Sequence, residues 1–190
     1  MRRIAFVIAP LAAALGLGAC GSSTSTNHSA HPAPSAAVSG DHNSADVMFA
    51  QMMTPHHRGA IDMTNLAPTR AASPQVKALA ARISSERGPE ITEMTGWLTS
   101  WNQPPADMAM IHPMPGMMSE SDMTQLTAAS GPAFDRQFLT MMTAHHQGAI
   151  EMAKTEQSNG IDGPAKALAG SINTGQTAEI TKMQNLLKTI

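Results

Sequence analysis

The sequence predicts an all-α protein: a four-helix bundle built from a duplicated helical hairpin, with a long Met-rich crossover loop joining its halves. A repeat and a periodicity carry that prediction. The stretch Phe49-Ala-Gln-Met-Met-Thr-Pro-His-His-Arg-Gly-Ala-Ile-Asp-Met63 returns 89 positions later as Phe138-Leu-Thr-Met-Met-Thr-Ala-His-His-Gln-Gly-Ala-Ile-Glu-Met152. The same offset carries Asp46 onto Asp135, Lys77 onto Lys166, Leu79 onto Leu168, Ile83 onto Ile172, Glu90 onto Glu179 and Met94 onto Met183 without a gap. A repeat of that length is two helices long. Within each copy the apolar residues recur at helical spacing, and no stretch alternates as a strand would. The halves are expected at about 44–101 and 132–190, within one domain spanning 44–190.

The segments before that domain read differently. Arg2 and Arg3, an apolar run from Ile4 to Leu17 and then small residues form an export signal over residues 1–19. Leu17-Gly18-Ala19-Cys20 resembles the bacterial lipoprotein cleavage box, in which the cysteine becomes the lipidated first residue. The expected location is therefore outside the cytoplasm, lipid-anchored on the outer face of the membrane or in the envelope. Residues 20–43, rich in Ser, Thr, Ala, Pro and Gly, make a flexible tether that carries His28, His31 and His42. A single cysteine permits no internal disulfide and no thiolate cage. The net charge of −2 gives no electrostatic reason to expect nucleic acid.

Each helix follows from its own residues. The first is expected from Ser44 to Leu66, ended by Pro68, with Phe49, Met52, Met53, His56, Ala60 and Met63 on one face and Arg58, Asp62 and Asn65 on the wet side. His57 falls on the edge of the apolar face, and Pro55 is expected to kink the helix before the histidines. The second starts at Ser73 as N-cap with Pro74 in its first turn and runs to about Trp101. Its inward stripe is Val76, Leu79, Ile83, Glu90, Met94, Trp97 and Trp101. A short turn begins at Ser119 and continues through Met123 and Leu126. The third helix, about Pro132 to Gln157, repeats the first with Phe138, Met141, Met142, His145, Ala149 and Met152 inward. The fourth, Gly163 to Leu187, repeats the second with Leu168, Ile172, Glu179, Met183 and Leu186 inward.

The chemistry lies in what this frame buries. A bare buried carboxylate costs several kcal/mol, so Glu90 and Glu179 must be protonated, paired or bound to metal. The chain has 16 methionines against four phenylalanines, two tryptophans and no tyrosine. Thioethers together with neutral imidazoles select Cu(I) over harder ions. The candidate metal ligands are His56, His57, His145, His146, Met52, Met53, Met63, Met141, Met142, Met152, Glu90 and Glu179. The crossover adds Met108, Met110, His112, Met114, Met117 and Met118. Because imidazoles must be neutral to bind, release of the ion is expected as pH falls through about 6. The competing reading is that His-Glu pairs merely hold the bundle in register.

Met114-Pro-Gly-Met-Met-Ser119, His145-His-Gln-Gly-Ala-Ile-Glu-Met-Ala153 and Pro55-His-His-Arg-Gly-Ala-Ile-Asp-Met63 resemble the bacterial domain-of-unknown-function 305 family over about Asp46 to Leu187. The resemblance implies a ferritin-like four-helix fold, exported or lipid-anchored, with some members associated with copper binding and copper resistance. Carried over by position, it implies His56, His57, Met63, His145, His146, Met152 and the Met114, Met117 and Met118 loop as ligands. Arg58 stands where the second copy has Gln147, the more usual family residue, which sets the two halves apart.

The function read from the sequence is an extracytoplasmic protein that chelates or hands on Cu(I) without turnover, with a homo-oligomer or a copper-handling partner left open. A ferritin-like metal-dependent oxidase is the enzyme alternative, although the Glu-x-x-His of that chemistry occurs nowhere in the chain. The third class is an envelope interaction module that uses the Met-rich loop as an adaptable surface.

Overall fold

The computed structural model describes residues 41–106 and 114–190. Cys20, the export signal, His28, His31, Met108, Met110 and His112 lie outside the described residues. Six helices follow in order: α1 (Ser44–Thr64), α2 (Ala67–Arg70), α3 (Pro74–Ser100), α4 (Glu120–Ala128), α5 (Gly131–Asn159) and α6 (Gly163–Leu187). The fold is all-α, a bundle of four long helices as expected, and none of the described helices is long and apolar enough to cross a membrane.

Helix starts obey local chemistry. Asn43 and Asp46 form a capping box on α1, Ser119 and Asp122 form another on α4, and the side chains of Ser73 and Asp162 accept the Val76 and Ala165 amides at α3 and α6. Pro68 acts otherwise than expected. The first helix already ends at Thr64, and Pro68 lies in the first turn of α2, where its missing N–H leaves no bond unmade. α1 and α3 both continue through their internal prolines, Pro55 and Pro89.

Within each half the long helices pack as a hairpin, α1 on α3 and α5 on α6, and the halves meet chiefly through α1 and α5. A crossed pair of carboxylates fastens one half to the other. Asp46 on α1 accepts the Ile161 and Asp162 amides at 3.0 Å, and Asp135 on α5 accepts those of Ala72 and Ser73 at 3.2 and 2.8 Å. Both acids are buried, and their partners are related by the same repeat offset.

The core is two apolar clusters. One gathers Met63, Leu79, Ile83, Phe134, Phe138, Met142 and Met183, and the other gathers Phe49, Met53, Met94, Trp97, Trp101, Ala149 and Ile172. His56 and His57 on α1, Arg87 on α3, His145 and His146 on α5, and Gln176 and Glu179 on α6 are buried between the stretches that feed these clusters. These residues make a polar layer between the two apolar clusters.

Candidate metal centre

The four histidines of the doubled motif reach this middle layer in two different ways. His56 and His145, from matching positions on α1 and α5, face each other with ring centroids 3.8 Å apart and planes at 41°. His57 and His146 turn toward the partner helix of their own half. His57 Nε2 lies 2.8 Å from Glu90 Oε2, in ion-pair contact but off the hydrogen-bonding line, and His146 Nε2 bonds Glu179 Oε2 at 2.8 Å. The expectation that His57 sits at the edge of its face is corrected, because both second histidines are as buried as the first.

Glu90 and Glu179 are paired, through a residue the sequence reading passed over. Arg87, buried on α3, sends Nη1 to Glu90 Oε2 and Nη2 to Glu179 Oε2, each at 2.7 Å. The signal was present in the sequence, since Arg87 stands four residues after Ile83 and three before Glu90, on the inward stripe itself. A guanidinium is normally assigned to the wet side, and only the two carboxylates make this position tolerable.

Burial sets the charges. Desolvation lowers all four imidazoles, His56 to about 3 and His145 well below its ordinary value, and for His57 and His146 it outweighs the upward pull of the carboxylates. Burial also raises Glu90 and Glu179, but their histidine and Arg87 contacts prevail and hold both below the ordinary value. The layer therefore contains neutral imidazoles, two carboxylates and one guanidinium.

The crossover returns directly onto the stacked pair. The Pro115 carbonyl accepts from His56 Nε2 at 3.1 Å, which leaves His56 Nδ1 buried without a partner. Both ring nitrogens of His145 are likewise buried and unpartnered. Two glycines at equivalent positions admit the loop. A Cβ on Gly148 would fall inside the Pro115 backbone, and one on Gly59 would stand 3.4 Å from His145 Nε2 and 3.7 Å from Met117 Sδ. The Met117 thioether and the free His145 nitrogen thus share the bare surface of one glycine. Gly116, at φ +76°, turns the loop above α5, where any side chain would strike the Ala144 carbonyl.

The other expected ligands separate into groups. Met53, Met63 and Met142 are fully buried in the apolar clusters. Met118 and Met141 pack half-buried against the first cluster. Met52, Met114 and Met152, joined by Met48, line a cleft of about 510 Å³ between the start of α1 and the end of α5, with Glu156 in its wall. Among the described residues no three of His, Cys, Asp and Glu form a metal-holding group, so a site here has to draw on thioethers.

Comparison with known proteins places this geometry. The sequence pattern that defines DUF305, a domain of unknown function, matches residues 46–187. No curated protein matches the chain. Among solved structures, a DUF305 protein from Streptomyces coelicolor designated a secreted protein is 31% identical, with 76% of this chain and 93% of that one covered and a TM-score of 0.72. A DUF305 fragment from Deinococcus radiodurans is 29% identical over 80% of this chain and all of its own, also with a TM-score of 0.72. CopM in its Cu(I)-bound form is 33% identical over 76% of this chain and 96% of its own, with a TM-score of 0.65, and CopM is also solved with Cu(II) and with silver.

Proposed function

We propose, from the fact that this chain belongs to the DUF305 family, that it is an exported protein binding Cu(I) between His56, His145 and the thioether of Met117. The single observation that carries this reading is His145, a fully enclosed imidazole with two unpartnered nitrogens beside a methionine sulfur. An unsatisfied buried nitrogen costs about 1–3 kcal/mol, and an ion at that point removes the cost. Neutral imidazole and thioether are the donor set that suits a soft monovalent ion. The copper and silver complexes of CopM support the same class of ion. His57, His146, Glu90 and Glu179 act as a supporting layer and not as ligands. Anchoring through Cys20 holds the protein at the membrane surface, where chelation or hand-over to a copper-handling partner needs no turnover. An oxidase has less support, since both glutamates it would use are bound to Arg87.

Anaerobic Cu(I) titration of the full chain against a competing chelator tests the reading. One tight equivalent is expected, weakened at least tenfold by His145→Ala and untouched by His28→Ala. Equal loss from both variants, or no stoichiometric complex, would remove the bundle site.

A further inference from the structure

A neutral imidazole can offer an ion only the nitrogen that does not carry its proton. For His56 the fold decides which nitrogen that is. Its Nε2 lies 3.1 Å from the Pro115 carbonyl, which can only accept, so the bond exists only with a proton on Nε2. Nδ1 is buried without a partner. A second proton there would bury an unmet, charged donor with the ring of His145 only 3.8 Å away. His56 is therefore the Nε2–H tautomer, with its lone pair on Nδ1. His145, its repeat counterpart, has no partner at either nitrogen among the described residues, so no hydrogen bond places its proton.

We propose that Pro115 is a positioning residue of the copper centre: its carbonyl holds His56 in the Nε2–H tautomer and so makes Nδ1 the nitrogen that His56 offers to Cu(I). The inference rests on the copper reading for the ion, and on the hydrogen bond alone for the tautomer. The course of the loop supports it. Met114 is buried on one side of Pro115, and Gly116 on the other turns the chain above α5 at φ +76°. The bare surface of Gly148 leaves room for the Pro115 backbone. Two residues further on, Met117 brings its thioether to the glycine surface that His145 Nε2 also meets. One short loop thus carries a sulfur ligand and the acceptor that selects the nitrogen of a second ligand, so seating the loop prepares both together. His146 supplies the comparison. Its Nε2 meets Glu179 at 2.8 Å and its Nδ1 has no partner, so it is the same tautomer, set by a side chain of α6 and not by the loop.

Two-bond proton-nitrogen NMR of the full chain with isotope-labelled histidine tells the tautomers apart, His56 and His146 being assigned by their loss in His56→Phe and His146→Phe. In the metal-free protein near neutral pH both should give the Nε2–H pattern. Gly148→Ala, which displaces the Pro115 backbone, should abolish that pattern for His56 and keep it for His146, whose signal reports an intact bundle. Ag(I), a soft monovalent ion without unpaired electrons, should shift Nδ1 of His56 in the wild type and leave Nε2–H in place. The proposal is overturned if metal-free His56 shows the Nδ1–H tautomer or an even mixture, if Gly148→Ala keeps the Nε2–H pattern, or if bound Ag(I) shifts Nε2 or neither nitrogen of His56. Should Gly148→Ala lose both patterns by unfolding, the wild-type spectra with and without Ag(I) decide alone. An intact Nε2–H pattern in a protein that takes up no Ag(I) overturns the copper reading, and with it the donor role of Nδ1, while the tautomer set by Pro115 stands; the two failures are thereby distinguished.

Discussion

The two halves of the bundle share many core residues and the His56/His145 and Asp46/Asp135 contacts that join them, and differ at a residue that serves both. Ile83 and Ile172, Met94 and Met183, and Phe49 and Phe138 are equivalent and all buried. At the shared polar layer the first half supplies Arg87 and the second Gln176. One guanidinium already bonds the glutamate of each half, so a second would compete for the same oxygens and bury surplus positive charge. A duplicated sequence can repeat its walls, but a residue serving both halves can occur only once. Glu156 shows the same rule at the end of the bundle, where its counterpart in the first half is Ala67.

The widest gap between equivalent positions should appear at residues 87 and 176. Arg87→Ala leaves two buried carboxylates without their cation and should cost roughly 3–5 kcal/mol in urea unfolding. Gln176→Ala, whose oxygen has no partner to lose, should cost about 1 kcal/mol. Equal losses would mean that the layer is symmetric after all.

Acid should act on both halves alike. A buried histidine held neutral in the fold takes up its proton on unfolding, so the unfolded state binds more protons below the ordinary histidine value of 6.5. Stability should thus fall as pH drops from about 6.5 toward 3, by roughly 1.4 kcal/mol per pH unit for each such ring. Replacing His56 by Phe, or His145 by Phe, should each flatten the acid limb of a stability-pH curve by a similar slope. A flat response in only one of them would assign the burial penalty to one half.

The glycines offer a sharper contrast on binding. Gly148→Ala drives a methyl group into the Pro115 backbone and should lift the loop, costing about 1–3 kcal/mol and at least tenfold in Cu(I) affinity. Gly59→Ala meets only the tips of His145 and Met117 and should change affinity less. The reverse order would place the ion on the other side of the loop.

Glu156 should show the opposite pH dependence. Burial, and then the neighbouring Asp46 carboxylate, raise it from 4.5 to about 8, so the folded state keeps a proton that the unfolded chain releases. Its contribution is whole below about 4.5 and is lost as pH rises through 8. Glu156→Gln cannot ionise and should flatten that alkaline decline in thermal unfolding between pH 6 and 9, while Ala67→Gln has no such limb to flatten.

The sequence by itself determined the helices, their order and the inward place of His56 and His145, because an 89-residue echo and a 3.6-residue period are properties of the chain alone. Helical phase can say which side of a helix a residue occupies, and in that sense it marked Glu90, Glu179 and, unnoticed, Arg87. It cannot say which inward groups touch. Tertiary structure alone decided that the first histidines stack together while the second pair with glutamates, and that Met53, Met63 and Met142 fill the core while Met117 stands beside an open imidazole nitrogen. The crossing of four helices and the descent of one loop onto two glycines depend on distances between residues as far apart in the chain as His56 and Pro115, and no local pattern encodes those distances.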